Sequence, residues 1–255
     1  MPVRQLMWLR LYFIHKEKMI SSLDNKTVKE LTKLHQKKYR DDCFLLLDED
    51  LIKEALESKH LIQLVYTNKK PFEFENSLEV SQEVLDKISK KENLSYIGVS
   101  RFIEERSDYQ NRVLLLDHLQ DPLNIGRIME AAMLFGFDSI ILSEDSADIY
   151  NEKCLANCKG GIYKLNISHK HLDEEISKLK NNGFKVYATA LTDNTKDLYE
   201  VNASDKMAFI LGNEGSGVRK ELIRAADETI KIDMCNIDSL NVGMAASIVM
   251  YRFKI

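Results

Sequence analysis

Cysteine, proline and tryptophan are scarce in this chain of 255 residues, which carries 4, 3 and 1 of them. The four cysteines, Cys43, Cys154, Cys158 and Cys235, have neither the spacing of a disulfide framework nor the paired C-x-x-C units of a zinc site. Cys154 and Cys158 could share a helix face, but no His/Cys pair completes a ligand set, so four reduced thiols and no metal are expected. Few prolines and only 10 glycines go with the absence of any internal repeat or low-complexity segment. A charge excess is missing as well: 36 basic against 40 acidic residues give a net charge of −4. That balance offers no global signal for nucleic acid, although local patches rather than totals hold phosphates. A membrane-length apolar run is also lacking. The best candidate, "MPVRQLMWLRLYFIHKEKM", is interrupted by Arg10 and is too short and too charged for a span or a good secretory signal.

What is present is 44% hydrophobic and 30% charged residues, the balance of a soluble, cytoplasmic-type globular protein with no membrane partner. The length suits one large domain or two ordinary ones. Residues 1–18 are set apart, either as a basic presequence or as an extension read from a start upstream of Met19.

From residue 19 to 102 a small α/β domain is expected. "NKTVKELTKLHQKKYR" (25–40) places Val28, Leu31 and Leu34 on one helical face, with Lys26, Lys29, Lys33 and Lys37 in a stripe of their own. Such a stripe is either a solvated face or a phosphate contact; His35, Lys38 and Arg40 thicken it toward the second. A strand, a helix and a second strand follow in "DCFLLLD", "DLIKEALES" and "LIQLVYT". The polar "IEERSDYQN" (103–111) reads as a linker. From residue 111 to 255 strands and helices alternate again. "RVLLLD", "SIIL", "FKVYATAL", "MAFILG" and "TIKIDM" are expected strands, so the sheet should be mainly parallel with helices on both faces.

"LGNEGSG" (211–217) sits between the apolar "MAFI" and the helix-like "VRKELIRAA". A P-loop would need Lys-Ser/Thr after its last glycine, where Val218-Arg219-Lys220 stands. The glycine spacing is wrong for a dinucleotide fingerprint. Glu214 argues against any phosphate in the loop, since two anions in a desolvated turn repel. A neutral or cationic ligand remains, and S-adenosylmethionine suits; a structural turn followed by a helix cap would use the same glycines. Asn124 and Gly126 follow a buried strand at the carboxyl edge, where parallel sheets bind ligands. Ser239 and Asn241 stand at a helix start, where Ser239 could equally be an N-cap.

Taken in order, "DPLNIG" (121–126), "ILGNEGSGV" (210–218) and "IDSLNV" (237–242) resemble the three motifs of the SpoU/TrmH branch of the SPOUT RNA methyltransferases. Residues 19–102 resemble the ribosomal-protein-L30e-like substrate-binding module that many rRNA methyltransferases of this branch carry. The resemblance implies an α/β catalytic domain with a C-terminal trefoil knot, working as a homodimer. It implies S-adenosylmethionine-dependent 2′-O-ribose methylation of RNA, with rRNA favoured over tRNA. Thr189, Ala190, Leu191, Leu211, Gly212, Gly215, Ile232, Met234 and Leu240 would hold the methyl donor. Asn124, Glu214, Ser239 and Asn241 would form the catalytic wall, and Lys29, Lys33, Lys37, Arg40 and Arg127 would contact RNA. One departure stands out: Glu130 occupies the position, six residues after Asn124, where the family carries an arginine thought to hold RNA phosphate. Asp233 likewise stands where proline is usual, and 151–167 lacks the family's Arg and Ser. These departures imply weakened turnover and leave open a second reading, a catalytically impaired homologue that binds RNA or assists ribosome assembly.

Overall fold

The computed structural model describes residues 19–192, 194–213, 215–235 and 240–255. Residues 1–18, Glu214 and Ser239 therefore lie outside the described residues. The chain divides into two compact units: residues up to 104 together with 150–156, and residues 105–149 together with 157–255. The short segment 150–156, placed in the second domain on sequence grounds, packs with the first unit instead. Tyr150 explains this, because its ring stacks on Phe102 with centroids 4.2 Å apart and its hydroxyl accepts from the Ile103 amide at 3.1 Å.

In the first unit, β1 (Cys43–Leu46), β2 (Leu61–Tyr66), β3 (Ser77–Glu79) and β4 (Tyr96–Arg101) form a sheet in the order β1-β4-β2-β3. The strand β4 pairs antiparallel with both β1 and β2, and β3 runs parallel to β2. Helices Lys26–Lys33 and Gln82–Ser89 bury Val28, Leu31, Val84, Leu85 and Ile88 in one core with Cys43, Leu45, Val65, Ile97 and Val99. Alternate strand residues serve the opposite face, where Gly98 lies under Ile52 of the helix Glu49–Glu57. A Cβ on Gly98 would meet Leu61 Cδ1 at 2.9 Å, so the helix sits close because the strand is bare there. The expected helix over 25–40 stops at Lys33. A single turn of 3₁₀ helix, Lys37–Tyr39, follows, so Lys37 leaves the stripe formed by Lys26, Lys29 and Lys33.

The second unit holds seven strands: β5 (Arg112–Leu116), β6 (Ser139–Ser143), β7 (Asn166–Lys170), β8 (Lys185–Thr189), β9 (Lys196–Asp197), β10 (Met207–Leu211) and β11 (Glu228–Lys231). Their order is β7-β6-β5-β10-β8-β11-β9, and every pairing is parallel. The strands β5, β6 and β10 are buried along their whole length, as strands covered on both faces must be. On one face Val113, Leu115, Val186, Ala208 and Ile210 pack with Leu172, Ile176 and Leu222 from the helices Leu172–Asn181 and Lys220–Ala225. The helices Pro122–Phe135 and Val242–Arg252 pack on each other. Phe253, just beyond the second of them, stacks on Phe209 at 5.0 Å, and Phe209 stacks on Tyr187 at 5.4 Å. The buried guanidinium of Arg112 donates to the carbonyls of Phe253 and Asp205 at 3.0 and 2.7 Å, tying the chain end to the start of β5. Burial holds that guanidinium below its ordinary pKa. Chain order and sheet order part company at β10, which inserts between β5 and β8; at such reversals the carboxyl ends of the strands open a crevice.

Candidate active site

The three neighbouring strands β10, β8 and β11 end side by side, and the residues that follow them line one cavity of about 400 Å³. That volume falls within the roughly 300–1,000 Å³ of small-molecule sites. Thr189, Ala190 and Leu191 enter from β8, Leu211, Gly212 and Gly215 from β10, Ile232 and Met234 from β11, and Leu240 from just before the closing helix. All nine positions named for the donor thus meet at one place. Asn213, Gly217, Ile230, Lys231, Val242 and Ala245 complete the lining and were not named from the sequence. For Asn213 and Gly217 the motif itself was a usable signal, since they flank residues already chosen. Lys231 is the one cation among the described residues of this lining, and its ammonium is paired with Asp233 at 2.7 Å. The pair raises the lysine and lowers the carboxyl from their ordinary values. Among the described residues, a lining of mostly apolar side chains, backbone, the neutral Thr189 and Asn213 and one neutralised cation fits a neutral or cationic organic molecule better than a phosphate ester.

The loop after β10 is built on its own backbone. A Cβ on Gly212 would lie 2.1 Å from the Gly217 carbonyl carbon and 2.2 Å from the Val218 nitrogen. Glycine is required there because the chain returns against itself, a reason distinct from close approach to a ligand. Asn213 closes the turn: its Oδ1 accepts from the Gly215 amide at 2.7 Å, and its carbonyl accepts from Gly217 at 2.8 Å.

Asn124 and Asn241 are brought together by the two packed helices. Asn241 is the N-cap of Val242–Arg252, its Oδ1 accepting from the amides of Gly243 and Met244 at 3.0 and 3.4 Å. The cap is therefore Asn241, two residues beyond Ser239. With Oδ1 so engaged, Asn241 Nδ2 points the other way and donates to Asn124 Oδ1 at 3.2 Å. Asn124 is buried in the first turn of its helix, where Asp121 caps the Leu123 amide at 3.0 Å. A Cβ on Gly243 would lie 3.2 Å from Asn241 Oδ1, so the small residue leaves room for the asparagine pair. Arg127 is exposed one turn further along, and Glu130 is half-buried on the same helix.

The residues named for RNA divide. Lys29, Lys33 and Lys37 are exposed, although Lys29 pairs with Asp24 at 2.9 Å. Lys33 and Lys38 both lie over the exposed Tyr39 ring, at 5.5 and 4.9 Å from its centroid. Arg40 is different: its Nη1 donates to the Tyr150 carbonyl at 2.7 Å, a structural engagement that takes it out of the exposed set.

Comparison with known proteins agrees with this geometry. The model of the SpoU rRNA methylase family matches residues 111–251. The 23S rRNA (guanosine(2553)-2′-O)-methyltransferase RlmP of Bacillus subtilis is 32% identical over 247 residues, covering 93% of this chain and 99% of that protein. A solved AdoMet-bound rRNA methyltransferase from Sinorhizobium meliloti superposes with a TM-score of 0.83 at 26% identity, covering 92% of this chain and 96% of its own. A solved RNA 2′-O ribose methyltransferase superposes at 0.76, also with 26% identity and covering 92% and 97% of the two chains. The chain belongs to the SpoU rRNA methylase family.

Proposed function

We propose that this chain is an S-adenosylmethionine-dependent RNA 2′-O-ribose methyltransferase of the cytoplasm that acts on rRNA. The observation that carries the proposal is the convergence of the nine positions named for the donor on one cavity at the carboxyl ends of β10, β8 and β11, in a chain alike over nearly its full length to a 23S rRNA 2′-O-methyltransferase. Thr189–Leu191, Leu211, Gly212, Ile232 and Met234 would hold the donor, with Gly215 and Leu240 closing it in. When bound, the donor supplies a methyl group on a sulfonium, the electrophile that a ribose 2′-oxygen attacks.

The chain's own residues have divided tasks. Asn241 is oriented by two backbone donors, so its amide N–H groups, and not its carbonyl, face Asn124. An amide so placed can hold a hydroxyl oxygen in line but cannot take its proton. Of the four residues assigned to the catalytic wall, Glu214 is the one carboxylate, and we assign it the acceptor role; Ser239 supplies a further hydroxyl. Arg127 is the exposed cation nearest this wall on the helix Pro122–Phe135, suited to a phosphate beside the target ribose. Lys29, Lys33 and Lys37 of the L30e-like unit would hold RNA as well.

Two finer readings accompany this one. Exposed Leu134, Met244 and Tyr251, at 71, 57 and 60% exposure on the two packed helices, are what a homodimer through the knotted domain would cover. Glu130, a carboxylate on the helix expected to face RNA, favours weakened turnover or, at the limit, an RNA-binding homologue active in ribosome assembly. Calorimetric titration of the full-length protein with S-adenosylmethionine tests the donor site. One donor per chain is expected, and absence of binding in the folded protein would overturn the proposal.

A further inference from the structure

The loop 212–219 lines the cavity with three glycines, residues that lose the most conformational freedom when fixed. Something must hold it. Both of its ends are tied to two consecutive residues at the carboxyl end of β5. At the exit, the fully buried carboxylate of Asp117 accepts from the Arg219 amide at 2.8 Å and from Arg219 Nε at 2.7 Å. At the entry, the His118 carbonyl accepts from Asn213 Nδ2 at 3.1 Å, and the Asp117 amide donates to the Leu211 carbonyl at 2.8 Å.

His118 is itself fixed. Its φ of 55° is in the left-handed region that non-glycine residues seldom adopt. Its amide donates to Ser143 Oγ at 2.8 Å, and its Nδ1 meets Asp145 Oδ2 at 2.8 Å. The strand β5 lies between β6 and β10, so these anchors stand on the interior of the sheet.

We propose that Asp117 and Arg219 are positioning residues for the methyl donor: they clamp the glycine loop in the conformation that forms the cavity wall, without touching the donor themselves. The inference rests on the reading of that cavity as the donor site. Its physical content is a population. If loosening the clamp leaves the loop correctly placed in about a tenth of molecules, the apparent donor Kd rises about tenfold.

The variants Arg219→Lys, which keeps the charge but loses the fork, and Arg219→Gln test this in the full-length protein. The Arg219 side chain is 43% exposed, so both should fold; Asp117→Asn, at a buried position, is the companion. Calorimetry with S-adenosylmethionine should show Kd about tenfold higher for Arg219→Gln, with Arg219→Lys between it and wild type. The double variant with Asp117→Asn should be no worse than the weaker single one, as expected for partners in one contact. Without donor, amide exchange at Ser216 and Arg219 should be faster than in wild type. Single-turnover methyl transfer at subsaturating donor should fall in step with the bound fraction and recover toward wild type as donor saturates, because bound donor selects the formed loop. Folded Arg219 variants with wild-type donor affinity would overturn the clamp while leaving the donor site intact. A loss of RNA affinity with donor affinity unchanged would overturn it too, making Arg219 a phosphate contact. A wild type that takes up no donor would overturn the cavity assignment and the clamp together.

Discussion

Glu130 is where the chemistry of one residue matters most. The carboxylate is half-buried on the helix that carries Asn124, at the position where the motif resemblance leads us to expect an arginine. Glu130→Arg replaces a repulsive charge with a planar donor that can grip phosphate through two parallel hydrogen bonds. A charge-assisted bond of that kind contributes roughly 1.5–3 kcal/mol, so methyl transfer should rise by about tenfold or more. Donor affinity should not move, since Glu130 is absent from the cavity lining. Single-turnover transfer of labelled methyl to ribosomal RNA measures this; a lower rate in the variant would give Glu130 a part of its own in catalysis and end the impaired-homologue reading. Asn241 shows how a residue chosen for chemistry can also have a structural task. It caps the last helix and meets Asn124, two jobs not evident in "SLNV", where Ser239 was the residue read as a possible cap. Arg40 shows the reverse, since its partner Tyr150 is 110 residues away and nothing local betrays the contact.

At the scale of elements, the glycine loop is the least forgiving segment. Gly212→Ala would force a Cβ into the backbone at Gly217 and Val218, where no side chain can yield. Overpacking against backbone should cost at least about 3 kcal/mol, which lowers the melting midpoint by roughly 6–12 °C in a unit of this size. Differential scanning calorimetry checks it; an unchanged midpoint would mean the loop has another way to close. The same loop limits what mutation can say about donor binding, because a variant at Gly212 perturbs the fold first. Most strands were legible as apolar runs: β5, β6 and β10 are buried along their whole length, and they share with β8 a continuous apolar centre. The strands β3, β4, β7 and β9 were not. In β4, "YIGVSR" is broken by Gly98, whose bareness admits the helix Glu49–Glu57 and is decided by tertiary packing. The edge strand β7, "NISHK", is half polar, and β9 is two residues long. The helix expected through residue 40 ends at Lys33 because the chain must turn there into a 3₁₀ segment, which the lysine periodicity does not register.

For the whole molecule, the site is assembled from strand ends far apart in the chain. Residues near 124, 190, 212, 232 and 241 come together because β10 inserts between β5 and β8, while β11 lies on the far side of β8. The motifs named most of these positions without any view of the sheet. Lys231 and the anchors Asp117 and Arg219 needed the fold, because their importance lies in what they hold. The basic residues of the first unit and the asparagine pair of the second are two parts of one proposed task, holding RNA and presenting a ribose hydroxyl to the donor. The measurement that tests this most directly is incubation of the full-length protein with labelled S-adenosylmethionine and unmodified ribosomal RNA, followed by nuclease digestion and identification of the labelled nucleoside. Label in a 2′-O-methylated nucleoside, lost when Asn241 is replaced by Ala, is the predicted result. Label confined to a methylated base, or no transfer to rRNA from a protein that binds the donor, would contradict the account.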